Sequence, residues 1–230
     1  MSSSNDRIVK ITTKISIYTQ LIIGLTNFYG LTLKVPPEHE MLKDVLMLET
    51  VVQVIEFVWY VAVIQRLPQE EMAKNRYYEW IFSTPLMLVS MFGYLLYEQQ
   101  LEQSPTDPPL RLSSALKNNI DSVIQIVVSD LAMLSVGYLF EIGKLSKEVA
   151  VVYGFIFLFN AFSIMYIKAG KSKVGKIFLL IMFVLWSIYG FAFILPTALK
   201  NSVFNITDLL SKNFFEVYIT VMVYKKRVKN

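Results

Sequence analysis

The chain has 230 residues, 54% of them hydrophobic and 17% charged, with a formal net charge of +4. That is too apolar for an ordinary soluble domain, and the small positive charge gives no reason to expect a nucleic-acid partner. With no cysteine and one histidine, His39 in the charged run Glu38-His39-Glu40, it excludes disulfides, thiolate metal sites, a cysteine nucleophile and a histidine-cluster metal centre.

A membrane-crossing helix needs roughly 20 mostly apolar residues. Seven stretches meet that requirement, at about 9–31, 43–65, 76–97, 117–139, 148–168, 175–197 and 202–224. The expected fold class is therefore an all-α membrane protein of seven transmembrane helices, one domain over residues 1–230, with a lipid bilayer as its first partner. The breaks carry loop chemistry: Pro36-Pro37, Pro68, Ser104 to Pro109, Gly143 and Lys168 to Lys173. The longest loop, about 98–116, leaves room for a short surface helix.

The first stretch is long and interrupted by Lys14 and Gln20, with no small-residue cleavage site, so it reads as a span rather than a signal peptide. Its polar residues Thr13, Ser16, Gln20 and Asn27 recur at helical spacing and form one stripe. In the second stretch Glu49, Gln53, Glu56 and Tyr60 do the same. The third opens with Arg76 and Glu79 three residues apart, which puts them on one face, and continues through Trp80, Ser83, Thr84, Pro85 and Met87. The fourth holds a single acid, Asp130, followed by Met133 and Gly137.

After the fifth stretch come Lys168, Lys171, Lys173 and Lys176; Lys225, Lys226, Arg227 and Lys229 close the chain. Basic residues mark the cytoplasmic side, so the C-terminus is expected inside and, with an odd number of spans, the N-terminus outside. The sixth stretch carries Trp186-Ser187-Ile188-Tyr189 and then Phe193. In the seventh, Asn205, Asp208, Lys212 and Glu216 form a third polar stripe. The Asn205-Ile206-Thr207 triplet lies inside this span and is not expected to be glycosylated. A charged side chain at mid-bilayer costs about 2.5–3.5 kcal/mol on insertion scales, so Lys212 and its neighbouring acids mark a functional site. The stripes on spans one, two and seven point to a hydrated seam between them.

Together these residues resemble a microbial-type (type 1) rhodopsin across essentially the whole chain. Arg76, Glu79, Trp80 and Thr84-Pro85 stand in the order of that family's third helix, and Asp208 precedes Lys212 as in its seventh. Trp186 and Tyr189 are similar to its sixth-helix pocket, with Gly190 in place of the usual proline and Phe193 in place of a second tryptophan. Asp130, Met133 and Gly137 keep the spacing found beside the chromophore ring, and Tyr60 matches the second-helix tyrosine.

The resemblance implies that Lys212 binds all-trans retinal covalently as a protonated Schiff base. Glu79 and Asp208 would compensate its charge, with Arg76 balancing the two acids. Ser83 and Thr84 would lie beside them, while Trp80, Met87, Met133, Gly137, Trp186, Tyr189 and Phe193 line the chromophore. Ser90 stands where efficient proton pumps of the family keep an inner carboxylate, eleven residues after the acceptor.

Glu49 and Glu56, with a glutamate counterion, resemble channelrhodopsins. Ser16, Glu56 and Asn205 in so short a chain resemble the channel-type viral rhodopsins of giant viruses. The implied function is a light-gated cation channel, not an enzyme, in which photoisomerisation opens a path between helices one, two and seven. Ser16, Glu56 and Asn205 would form its constriction, next to Tyr60, and Glu49 a second ring toward the cytoplasm. Monovalent cations or protons would pass, and calcium would act as an inhibitor. The alternatives are a weak light-driven outward proton pump and a photosensor; a homo-oligomer and the host cell or organelle membrane stay open.

Overall fold

The computed structural model describes residues 2–103 and 109–228. Of the expected loop and anchor residues, Ser104 to Pro108 and Lys229 lie outside the described residues. Nine α-helices follow one another among the described residues: α1 Ser2–Thr32, α2 Glu40–Ala62, α3 Gln69–Gln103, α4 Leu112–Asn118, α5 Ile120–Glu141, α6 Lys147–Ala169, α7 Lys173–Ala192, α8 Thr197–Asp208 and α9 Phe214–Lys226. Single 3₁₀ turns at Pro37–His39 and Ile64–Arg66 flank α2, and a π-turn over Leu209–Asn213 joins α8 to α9.

Six helices, α1, α2, α3, α5, α6 and α7, are long and apolar enough to cross a membrane. The expected seventh span is instead a two-part helix, α8 and α9, wound around the π-turn that holds Lys212. The wider π geometry is found mostly as single turns at functional sites. Here it coincides with four buried polar residues, Asp208, Ser211, Lys212 and Asn213.

Helix limits differ from the hydropathy limits where polar helix formers extend an apolar span. α3 begins seven residues before Arg76 and ends at Gln103, because Gln69-Glu70-Glu71 and Glu98-Gln99-Gln100 favour helix although they are not apolar. It also runs straight through Pro85. The long loop does carry a short helix, α4, which reaches Asn118 and so takes over the first residues of the expected fourth span. α4 is more than a surface decoration: Leu112 and Ala115 are buried, and Leu112 packs so closely on Gly93 that a side chain there would collide with it. α7 stops at Ala192, five residues early, since Pro196 starts α8 from an extended conformation.

Two helices begin with serine caps, Ser146 accepting from Val149 N and Ser172 from Gly175 N, which satisfies donors that a first turn leaves free. α5 ends in a turn at Gly143, whose φ of 71° lies in the left-handed region that glycine enters without penalty.

The helices pack with their polar stripes inward and large apolar side chains outward. Ile22, Leu25, Phe82, Phe159 and Leu180 are exposed while Glu49, Glu56, Asp208 and Glu216 are fully buried. This inversion of the soluble pattern suits a surface facing lipid. α3 lies centrally, touching α2, α5, α6, α7 and α8, whereas α1 packs on α2, α8 and α9. Those contacts put the three polar stripes face to face.

Candidate functional site

Lys212 is the hub. It is 2% exposed, and its Nζ lies 3.0 and 3.2 Å from the two carboxylate oxygens of Glu79 and 3.4 Å from Ser83 Oγ. Asp208 Oδ1 and Glu56 Oε1 each stand 3.9 Å from the same nitrogen. An ammonium this deeply buried needs such compensation to exist at all. Glu56, read in the sequence as part of a gate, is thus also a third acid beside the lysine.

Asp208 is the most heavily bonded carboxylate of the group. Oδ2 accepts Tyr60 Oη at 2.6 Å and Arg76 Nη1 at 2.9 Å, and Oδ1 accepts Tyr189 Oη at 2.7 Å. Arg76 Nη1 also donates to Tyr60 Oη at 2.6 Å, and Nη2 donates to Asn205 Oδ1. Arg76 was expected to balance two acids; it pairs with Asp208, whereas Glu79 pairs with Lys212. The long guanidinium stem carries its charge across to α8, while the shorter glutamate points at the π-turn.

Next to Lys212 opens a pocket with a mostly apolar lining, as small-molecule sites have. All seven residues expected to line the chromophore (Trp80, Met87, Met133, Gly137, Trp186, Tyr189 and Phe193) line it, together with Thr84 and Lys212. Its floor includes Gly154, Phe155 and Leu158 of α6, which the sequence did not single out because unmarked apolar residues look alike in every span. Two glycines make the room: a Cβ at Gly137 would run into Tyr77 Oη, and one at Gly190 would sit 2.7 Å from the Phe155 ring. Asp130 stays outside the pocket wall, its Oδ2 accepting Thr84 Oγ1 at 2.7 Å. A mostly apolar cavity lined by one amine, itself flanked by acids, fits an apolar polyene aldehyde.

The polar residues of spans one, two and seven also meet. Ser16 Oγ donates to Asn205 O at 3.2 Å, and Asn205 Nδ2 donates to Thr12 and Thr13 at 2.8 and 3.0 Å. Gln53 Nε2 donates to Gln20 O, and Asn213 Nδ2 to Gln53 Oε1, both at 2.7 Å. Ser90 Oγ donates to Glu49 Oε1. The expected trio is therefore only partly in contact: Ser16, Asn205 and Tyr60 are bonded into one group, but neither Glu56 oxygen has a hydrogen-bond partner among the described residues. Asn213, Thr12 and Thr220 join the seam unannounced, since a single amide or hydroxyl in an apolar span most often serves only as local glue.

The family described as bacteriorhodopsin-like protein matches residues 9–225. The chain belongs to the bacteriorhodopsin-like family. Members of this family carry retinal on a Schiff base and work as light-driven pumps, channels or sensors, not generally as enzymes. The protein is accordingly an integral, multi-pass membrane protein. Among solved structures it is similar to the viral rhodopsin OLPVRII, with a TM-score of 0.80 and 23% identity over 94% of this chain and 98% of the other. A blue light-absorbing proteorhodopsin from Med12 gives 0.70 and 18% over 94% and 96%. Bromide-bound halorhodopsin from Halobacterium salinarum gives 0.68 and 11% over 97% and 96%. At these identities the structures share the rhodopsin fold. No curated relative matches the chain in sequence.

Proposed function

We propose that this bacteriorhodopsin-like chain is a light-gated cation channel that binds all-trans retinal at Lys212. The observation that carries this reading is Glu56: fully buried, without a hydrogen-bond partner for either oxygen among the described residues, and 3.9 Å from Lys212. A carboxylate so placed is exposed to any change of charge at the lysine and also borders the polar seam between α1, α2 and α9. When bound, retinal supplies the light-driven isomerisation and a positive charge at Lys212 Nζ. Glu79 and Asp208 hold that charge, Ser83 offers a further oxygen, and Arg76 with Tyr60, Tyr189 and Asn205 keeps Asp208 in place. The residues Trp80, Thr84, Met87, Met133, Gly137, Trp186, Tyr189 and Phe193 exclude water from the polyene, and Asp130 orients Thr84.

Loss or displacement of the positive charge removes the attraction that holds Glu56 toward Lys212. Released, Glu56 turns into the seam beside Ser16, Tyr60 and Asn205. Carboxylates along a narrow polar path admit cations and repel anions, and Glu49 supplies a second one. Monovalent cations pass, and calcium, held by the same acids, inhibits. The whole chain, residues 1–230, forms one seven-helix domain with the N-terminus outside and the C-terminus cytoplasmic, α8 and α9 together making the seventh crossing. In support, Val228 N donates to Lys34 O at 2.9 Å, so the chain's end meets the end of α1 on one side. Assembly into a homo-oligomer belongs to the same reading.

A weak outward proton pump is the second reading, and one contact favours it. Ser90 lacks the inner carboxylate expected of a pump, yet it donates to Glu49, so an acid is presented at that level from α2 instead.

The Glu56→Gln variant tests the gate in voltage-clamped cells. The reversal potential of its photocurrent is expected to shift by about 30 mV, which corresponds to a threefold change in permeability ratio. An unshifted current of unchanged size would remove Glu56 from the path.

A further inference from the structure

Beyond the lysine the seam continues along α9 through groups that the gate does not use. Glu216 lies one turn past Lys212 and is fully buried. Its Oε2 accepts Asn27 Nδ2 at 3.1 Å, and Asn27 Oδ1 in turn accepts Thr220 Oγ1 at 2.8 Å. The threonine thereby fixes the amide with its nitrogen toward the carboxylate. Glu216 Oε1 has no partner among the described residues.

Other bare atoms share this stretch. Among the described residues Gln20 leaves both amide atoms unpartnered, and Glu49 leaves Oε2 free. Glu216 is within electrostatic range of Glu49, Glu56 and Lys212. Buried polar atoms are seldom left unsatisfied, and an unmet charged one costs more than a neutral one. Buried polar atoms without partners on α1, α2 and α9 mark this part of the seam as one that takes up a polar occupant. Beyond Glu216, Leu46, Ile219 and Val223 are fully buried in the apolar core. Gly30 on α1 packs closely there: a Cβ would stand 2.8 Å from Leu46 and 3.3 Å from Thr220.

We propose that Glu216, oriented by Asn27, binds the permeating monovalent cation at the inner end of the seam and helps to set selectivity. The inference rests on the channel reading above. Its free oxygen Oε1 replaces part of the ion's hydration. Glu56 meets the ion at the lysine; Glu216 meets it at the inner end.

The test uses the full chain with retinal, in voltage-clamped cells holding sodium on one side and N-methylglucamine on the other at equal pH. Glu216→Gln is expected to keep the visible band, because Glu216 does not touch Lys212. Its sodium permeability ratio is expected to fall about tenfold, as loss of one charged ligand implies, moving the reversal potential by about 59 mV. A parent current that reverses with sodium, together with an unshifted Glu216→Gln, would overturn the proposal and leave the channel reading intact. A shift seen only under a pH gradient would overturn it too, making Glu216 a proton group. A parent without reversing current would defeat both. Should Glu216→Gln form no pigment, Glu216→Asp and Asn27→Ala carry the same measurement, and unshifted reversal in both counts against the proposal.

Discussion

Replacing Lys212 by alanine abolishes the visible absorption of protein reconstituted with all-trans retinal. The pocket beside Lys212 offers shape and apolar contact from Trp80, Trp186, Tyr189 and Phe193, but only Lys212 offers an amine. Without it, retinal can be held at most as a free aldehyde, which absorbs in the near ultraviolet. The loss is expected to be complete rather than partial, since the band depends on a charge at one nitrogen. The polar cost of Lys212 is also informative: its removal leaves Glu79 and Glu56 without their cation, while Asp208 keeps Arg76. A Lys212→Ala protein that still showed the visible band would refute the assignment.

Asp208→Ala is expected to be the most destabilising single change in the site. Asp208 accepts from Tyr60, Arg76 and Tyr189, and all three donors lose their shared acceptor at once. Arg76 is 1% exposed, so its charge has no water to turn to. Breaking a buried pair from one side costs about 3–5 kcal/mol. For a chain of this size each kcal/mol lowers the melting temperature by about 2–4 °C, so a drop of roughly 10 °C is expected in a scan that follows bleaching of the pigment. Asp208→Asn keeps two polar atoms but not the charge, and falls between the parent and Asp208→Ala. A melting temperature unchanged in Asp208→Ala would show that Arg76 finds compensation elsewhere.

Much of this architecture was legible beforehand because polarity in a membrane chain is periodic and rare. Thr13, Ser16, Gln20 and Asn27 are all buried, as their helical spacing required, and so are Glu49, Gln53, Glu56 and Tyr60. The register of Arg76, Glu79 and Trp80 with Asp208 and Lys212 likewise brought the right helices together. Pairings within the site were not legible. Helical spacing tells which face a side chain leaves from, not how far a guanidinium reaches, so Arg76 was shared between two acids that it does not share. Nor does spacing report the π-turn Leu209–Asn213, through which the helix continues from α8 into α9 at the lysine.

The same limit applies to the seam. Glu56 was visible as a buried acid, but its closeness to Lys212 depends on how α2 and α9 cross. Ser90 read as a missing acid, and only the packing of α2 against α3 brings Glu49 to it. Asn27 and Glu216 were each visible as members of separate stripes, while their bond joins positions 189 residues apart. Limits of helices misled for another reason: hydropathy follows the bilayer, whereas Gln69 to Asn75 and Glu98 to Gln103 follow helix propensity beyond it.

The claim at the centre is that light opens a passive cation path rather than driving a pump or only a signal. It is tested most directly by photocurrent against voltage in cells expressing the parent chain, with different monovalent cations on the two sides. The account predicts a current that changes sign, at a potential that moves with the imposed gradients by up to about 59 mV per tenfold change. A current that stays outward at every voltage, or no current from a coloured protein, would contradict it.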